Sequence, residues 1–578
     1  MSDIFKKPYL DQTPVYFPYT VEKLCEGPIF PSIVFDGGAF FFANDALGTV
    51  NGDELLEKIM SGEIFSYWYR EGEFDWLGAF KDFRPIGYTS EWEGHIWINR
   101  LYVLLPLAQA YAKTRDVKFL NAWLAILKDF TRVNPYTRYE DKPVDLVWRD
   151  MQVTWRTLNL LYSIFLFQGT DDLSREDWEF IYTCVKTHVD HMTDEGERYL
   201  EITEPDNHRL QIGTALILYG ALFPEMFDQE KLLRIGKGLV EINMKKSIFD
   251  DGCNNEDSMS YSHFIARLYL EAELVLEKNG FETVEGCKES IQKQYEFLYK
   301  FSTRQGKTVQ FGDSYVFDAE KDVEFINSFY PLTFKREKKT ELFASSRMAV
   351  LRNARFEVFI DAMDMTEWHQ HFGRPQFIVF CDGLPMVVDS GSVNYDRGYF
   401  RRRLNSEKGH SVIYSPSIPL TRQPSNETLA VEDFKDLEDE KLLTVSNTVT
   451  GSDGTSYKWL RTFRLFEDRL EIIDTVNASK PLNFVSQLFL PECRIGYAPA
   501  IEPENQTELL LRFGSFMERI KTDTVFETQY TPCVDTANRM NYAQLLIRKF
   551  NASDFTERTV ITFERIREGN NYLIGKIN

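Results

Sequence analysis

Apolar residues recur at helical spacing through the first half of the chain and at alternate positions through much of the second. In "INRLYVLLPLAQAYAKT", "FLNAWLAILKDFTR", "QVTWRTLNLLYSIFLF" and "EDWEFIYTCVKTHVDHM" they return with the period of a helix that buries one face. The same holds for "LQIGTALILYGALF", "KLLRIGKGLVEINMKKSI", "FIARLYLEAELVLEKNG" and "CKESIQKQYEFLYKFS". Short polar or Pro/Gly-containing joints separate these segments, as in antiparallel helix pairs. No tight internal sequence repeat is evident, yet successive helical hairpins predict a toroid or a solenoid. From about Leu342 the apolar runs shorten, as in "RMAVLRNARFEVFIDAM", "QFIVFCDG", "KLLTVSNTVTG" and "RTVITFERI". They are β-branched or aromatic, bounded by turn residues, and several alternate apolar and polar side chains. That texture predicts antiparallel sheets packed as a sandwich. The charged stretch "YPLTFKREKKTEL" marks the change. The expected organisation is α+β and multidomain: a helical (α/α) toroid over residues 1–336, then an antiparallel β-sandwich over 337–578.

Composition narrows the class of partner. A chain of 578 residues with 43% hydrophobic content has more to bury than one core holds. A formal net charge of −22 argues against a general nucleic-acid binder. A local basic cleft on an acidic protein still suits an anionic substrate, and "RGYFRRRLNSEKGH" offers one. The seven cysteines are scattered without CxxC spacing, which fits a reducing compartment. The N-terminal stretch has no continuous apolar run, and no segment is apolar for long enough to span a bilayer. The expectation is a cytoplasmic protein with no membrane partner, as a monomer or a homodimer.

Four stretches hold candidate chemistry. "EPDNHRLQIG" places Asn207 and His208 just before a helix, where Asp206 or Asn207 also reads as an ordinary N-cap. "DGCNNEDSMSYSHF" places Glu256, Ser258, Tyr261 and His263 at the start of another. A tyrosine in a cleft is a general acid or base once its neighbours lower its pKa. "EWHQHFGRPQF" sets His369 and His371 two apart between strand-like flanks, in a chain with only eight histidines. A metal, a proton relay and plain packing all remain open there. The fourth stretch, "DSGSVNYDRGYFRRRLNSEKGHSVIYS", carries Asp389 and His410. Two histidines and a carboxylate from different strands suit a divalent metal.

Taken in order, these motifs resemble the heparinase II/III-like polysaccharide lyases and the related alginate lyases of the same architecture. The resemblance covers most of the chain. It rests on Asn207-His208, the Glu-x-Ser-x-x-Tyr stretch (Glu256, Ser258, Tyr261), the His-x-His pair, "DGLPMVVDSG" with Asp389, and "GHSVIY" with His410. Gly373 stands where the family usually has Asp, Gln376 and Phe377 where it has Ser-Phe, and Ser411 where it has Asn after the histidine. The resemblance implies β-elimination next to a uronic acid, with a glycosaminoglycan such as heparan sulfate first and hyaluronan or chondroitin next. It implies Asn207 as the donor that neutralises the uronate carboxylate, with help from His369. Tyr261 is implied as the acid, and also as the base when the geometry is syn. His208 is implied as the base on the opposite face. His371, Asp389 and His410 are implied as ligands of one structural divalent ion, zinc by type. His369 and His371 would then face substrate and metal respectively, which requires a bulge or loop at the pair.

Substrate contacts are expected from "VWRDMQVTWRTLN", through Trp148, Arg149, Trp155, Arg156 and Asn159, and from Glu256 and Arg403. Tryptophan faces stack on sugar rings and arginine forks bind carboxylate or sulfate. Tryptophans at helical spacing also read as core. His188 and His191 read as surface or satisfied structural histidines. Two other classes compete: a glycoside hydrolase on the same toroid, using a carboxyl pair drawn from Asp206, Glu256 and Asp257, and a non-catalytic glycan binder.

Overall fold

The computed structural model describes residues 69–70, 73–74 and most of 99–565; within that last span 102–103, 137–146, 149–150, 168–169, 203–205, 225, 329, 393–397, 492–495, 498–505, 514 and 536–539 lie outside the description. The chain divides into two compact units that interleave in sequence. One takes the chain up to Ile248, His263–Gln292 and Asn394–Gly398; the other takes Phe249–Ser262, Lys293–Val393 and Tyr399–Asn578. Helical texture ends and strand texture begins near 341, whereas the chain passes between the packing units three times before that point.

The first unit is helical. Its elements are α1 (Leu104–Thr114), α2 (Val117–Val133), α3 (Met151–Leu166), α4 (Arg175–Glu201), α5 (Asn207–Leu222), α6 (Gln229–Ser247) and most of α7 (Met259–Lys278). Helix α8 (Cys287–Lys300) begins in it. Each of the eight helical patterns in the sequence falls on one of these helices. α4 starts at a capping box, with Ser174 and Asp177 satisfying each other's backbone N–H. Helix α5 is apolar on every side from Leu210 onward and is buried all round. It lies directly on α6 because Gly213 and Gly236 face each other. A Cβ on Gly236 would stand 2.7 Å from the Gly213 carbonyl oxygen, so alanine at this crossing forces the helices apart.

The second unit holds two antiparallel sheets. After the short pair β1 (Tyr69–Arg70) and β2 (Glu73–Phe74) of the first unit, strands β3 (Glu341–Phe343), β4 (Met348–Arg352), β5 (Phe356–Asp361), β6 (Gln376–Cys381) and β7 (Leu384–Val387) form one of them in simple sequential order. The larger sheet runs, from one edge to the other, β13 (Gly496–Tyr497), β14 (Glu508–Phe513), β15 (Phe516–Thr522), β17 (Met540–Arg565), β12 (Arg469–Leu490), β11 (Ser456–Leu465), β10 (Lys441–Thr450) and β9 (Glu427–Asp436), with β8 (Ile413–Tyr414) paired to β12 and β16 (Glu527–Val534) to β17. Val358, Phe377 and Val379 of the small sheet share one core with Leu443, Phe463, Ile472 and Phe563 of the large one. That is a β-sandwich. No helix among the described residues is long and apolar enough to cross a membrane.

One position breaks the core pattern. In β15 (Phe516–Thr522) residues 518, 520 and 522 face inward, and Glu518 is fully buried. Neither of its oxygens has a hydrogen-bond partner among the described residues. Burial raises its pKa well above the usual carboxylate value, so folding favours its protonated form. The unfolded chain ionises it above about pH 4.3. Its raised folded-state pKa therefore removes stability progressively as pH rises past that unfolded value. Glu518→Met should add roughly 1–3 kcal/mol at neutral pH and flatten the loss between acid and alkaline pH, as read by denaturant unfolding across that range.

Candidate active site

The second unit gathers four distant stretches around one carboxylate, Asp313. Ser258 caps the helix that carries Tyr261: its hydroxyl accepts from the Tyr261 N–H at 3.3 Å and donates to the Asp313 carbonyl at 2.8 Å. Ser314 accepts from the Met259 N–H at 2.9 Å. The first turn of α7 is thus fastened to the Phe311–Tyr315 turn. The Asp313 N–H in turn donates to the His369 carbonyl at 2.9 Å. Gly312 lies where these strands of chain pinch together. Its φ is +57°, and a Cβ there would meet the carbonyl oxygens of Asp257 at 2.5 Å and His369 at 2.7 Å. Only glycine fits that crossing.

The histidine pair lies in the connection between β5 and β6, not on a strand. Gln370 between them pins the turn: its amide oxygen accepts from the Thr366 and Glu367 N–H groups at 2.6 and 2.9 Å. His369 Nδ1 meets Asp313 Oδ2 at 2.9 Å, and His371 Nε2 meets Asp313 Oδ1 at 2.9 Å. Arg401 donates Nη2 to Asp313 Oδ2 at 2.7 Å and Nη1 to Oδ1, and Ser392 donates to Oδ1 at 2.8 Å. Burial works against the Asp313 charge, but Arg401 and the two histidines outweigh it and hold the carboxyl well below the ordinary range. His369 keeps 16% of its side chain exposed. The Tyr261 ring stacks on it with centroids 3.7 Å apart and planes 23° from parallel. Glu256 Oε2 lies 3.6 Å from His369 Nε2, beyond hydrogen-bond length.

Behind the pair, His371, Asp389 and His410 are buried with ligand-type atoms all within 4.8 Å of one another. Asp389 Oδ2 meets His410 Nδ1 at 2.6 Å. Each histidine keeps one buried ring nitrogen with no hydrogen-bond partner among the described residues: Nδ1 of His371 and Nε2 of His410. Two orphaned imidazole nitrogens beside a carboxylate are the donor set a divalent transition metal takes. Burial pushes His371 down to about 4 against the pull of Asp313, so its ring is neutral at pH 7, as ligation requires.

Other expected site residues lie elsewhere. Asn207 opens α5 and is buried, His208 follows it half-buried, and the N-cap is Asp206, which accepts from the His208 N–H at 2.8 Å. The expectation of Arg156 on a glycan differs from its use here. The side chain is fully buried and donates to His188 Nε2 at 2.8 Å and to the carbonyls of Asn99 and Val147 at 2.6 and 3.0 Å. Asn159 donates to the Arg100 carbonyl at 3.0 Å, and Trp155 stacks on Phe264 in the core. Trp148 is 4% exposed and packs against His188. All sixteen residues of α3 are buried, so inward-facing spacing on that helix meant core. Arg149 lies outside the described residues. His188 and His191 are buried structural histidines, not surface ones. In the basic run, Arg403 donates to Thr531 Oγ1 at 2.8 Å, and Arg401 is the residue that meets Asp313. Sequence reasoning missed Asp313. Its only trace was a Gly-Asp-Ser turn between apolar residues in "VQFGDSY".

Residues 43–338 match the family described as heparinase II/III N-terminus, and residues 335–552 match heparinase II/III-like, C-terminal. A stretch of 226 residues is 24% identical to a heparin-sulfate lyase of Pedobacter heparinus, covering 38% of this chain and 33% of that protein. Another of 210 residues is 22% identical to a heparin-sulfate lyase of Bacteroides thetaiotaomicron, covering 36% and 28%. The match spans about a third or less of those relatives' length. Among solved structures, one of heparinase III is similar with a TM-score of 0.73 over 98% of this chain and 89% of that one, at 15% identity. A heparan sulfate lyase from Pedobacter heparinus is similar with a TM-score of 0.59 over 92% and 88%, at 14% identity. The shared fold is the helical toroid followed by an antiparallel β-sandwich.

Proposed function

The chain belongs to the heparinase II/III family, and from that premise we propose that it is a polysaccharide lyase that cleaves a uronate-containing glycosaminoglycan, heparan sulfate first, by β-elimination. The observation that carries this reading is the Tyr261–His369 stack, with His369 tied to a buried carboxylate. In β-elimination the C5–H bond breaks, its electron pair forms the C4–C5 double bond, and the C4–O4 bond breaks as O4 takes a proton. The C5 proton is weakly acidic, so charge building on the neighbouring carboxylate needs donors placed for it. Asn207 supplies that neutralisation, and His369 adds to it as an imidazolium, which carries an N–H on Nε2 as well as the one on Nδ1 that Asp313 holds. Tyr261 protonates O4 and serves as base when proton and leaving group share a face. His208 is the base for the epimeric uronate. The heparin-sulfate lyases matched by sequence support the substrate class.

The hydrolase alternative loses its carboxyl pair. Asp257 is fully buried against Arg374, and Asp206 caps a helix. Digestion of heparan sulfate in oxygen-18 water tests the choice. Elimination leaves the products unlabelled; a label on each new reducing end means hydrolysis and ends the lyase reading.

His371, Asp389 and His410 would hold one divalent ion, of zinc type. Bound there, the ion supplies charge and rigidity behind the histidine pair. Protein purified without added metal is expected to hold about one ion per chain by elemental mass spectrometry. His410→Ala should lose it and lower the thermal midpoint. Wild-type protein that stays metal-free after incubation with zinc overturns the assignment.

A further inference from the structure

Asp313 accepts from both histidines of the pair at once, one through each oxygen. An ionised carboxylate only accepts hydrogen bonds. Arg401 keeps it in that form through two N–H contacts, and Ser392, which donates to the same carboxylate, also accepts from Arg401 at 2.8 Å. A neutral imidazole has one N–H, and a partner that only accepts selects the nitrogen that carries it. His369 then carries its proton on Nδ1, and His371 carries its own on Nε2.

We propose that Asp313 is the positioning residue of this site, setting opposite tautomers on the two histidines so that His369 turns a basic Nε2 away from Asp313, to the side where Glu256 lies, while His371 turns a basic Nδ1 to the buried His410–Asp389 cluster. The His371 nitrogen so selected is the one that is buried without a hydrogen-bond partner. One carboxylate therefore ties the metal-type cluster to the reactive histidine, with no contact between the two rings required. The inference rests on the lyase reading for the part His369 plays, and on the geometry alone for the tautomers.

Two measurements test it. In wild-type protein labelled with nitrogen-15 at histidine, in alkaline buffer without metal or substrate, His369 should show a protonated Nδ1 and a pyridine-type Nε2. His371 should show the reverse pattern. A protonated Nε2 on neutral His369 overturns the proposal whether or not the protein is a lyase. Asp313→Asn keeps the shape but offers one acceptor oxygen and one NH2 group, so it can hold only one of the two histidines in its wild-type tautomer. In that variant kcat should fall at least ~10-fold with KM changed far less, and zinc affinity should weaken by ~10–100-fold, the scale for losing a residue that orients a metal ligand. An Asp313→Asn protein with wild-type kcat, zinc affinity and tautomers overturns the proposal as well. If the wild-type tautomers are as stated but heparan sulfate is not cleaved, the lyase reading fails and the assignment of Asp313 stands.

Discussion

Tyr261→Phe should lower turnover on heparan sulfate by at least ~100-fold, the usual scale for losing a positioned general acid or base. The substitution removes one oxygen and keeps the ring. The stack on His369 at 3.7 Å depends on ring faces, and the start of the helix is fastened by Ser258 and Ser314 through backbone atoms. Thermal stability should therefore change little, and KM should change far less than kcat, because the hydroxyl works mainly as the leaving oxygen gains charge. Steady-state kinetics with a thermal melt on the same preparation checks all three. A fully active Tyr261→Phe enzyme removes Tyr261 from the chemistry, whatever else the stack does.

Arg374→Met should cost about 3–5 kcal/mol of stability, the scale for breaking a buried ion pair from one side. Arg374 is fully buried between two carboxyls. Its Nε donates to Asp361 Oδ2 at 2.8 Å and its Nη2 to Asp257 Oδ2. Gln376 adds a donor to Asp361 at 2.6 Å, and Asn447 donates to the Arg374 carbonyl at 2.7 Å. Burial raises Asp361, but Arg374 and Gln376 outweigh it and the carboxyl lies below its ordinary value. Burial and the Asp361 charge raise Asp257 well above its own, against Arg374. Asp361 is thus the more acidic of the two carboxyls that share Arg374. The Asp361 contribution is present above its unfolded value of about 3.9 and lost as pH falls through the folded one. The raised Asp257 removes stability as pH climbs past the same unfolded value. Methionine fills much of the volume and leaves both carboxyls without their cation. Denaturant unfolding reads the loss. Because Asp257 follows Glu256 and Arg374 lies three residues after His371, the variant should also loosen the site and lower activity.

Much of the architecture is written in the hydrophobic period. The helical segments that bury one apolar face over three turns or more have an unmistakable period, and α3 and α5, buried on every side, are legible from the length of their apolar runs. Strands with weak alternation were harder to read. β9 (Glu427–Asp436) is mostly exposed or half-buried, and β16 (Glu527–Val534) is exposed over its first four residues, so burial leaves little alternation in either. β12 (Arg469–Leu490) reads as two strands because "NASKP" interrupts its apolar residues, and the register shifts between Asn477 and Leu482. The His-x-His pair was legible as an oddity of composition, and its loop setting followed from needing two directions of approach. Asp313 was not legible, since its partners are 56, 58 and 88 residues away. Nor does a run of three arginines on a six-residue helix say which one turns inward. Arg156 shows the opposite limit: a charged residue on an inward face is read as cleft, although carbonyls and a histidine satisfy it in the core just as well.

Elimination is the central claim, and the most direct measurement follows ultraviolet absorbance and new reducing ends together while the wild-type protein digests heparan sulfate. A conjugated unsaturated uronate forms with every bond broken by elimination, so absorbance should rise in step with reducing ends, one chromophore per end. Tyr261→Phe should suppress both. Reducing ends that appear without the absorbance would contradict β-elimination by this protein.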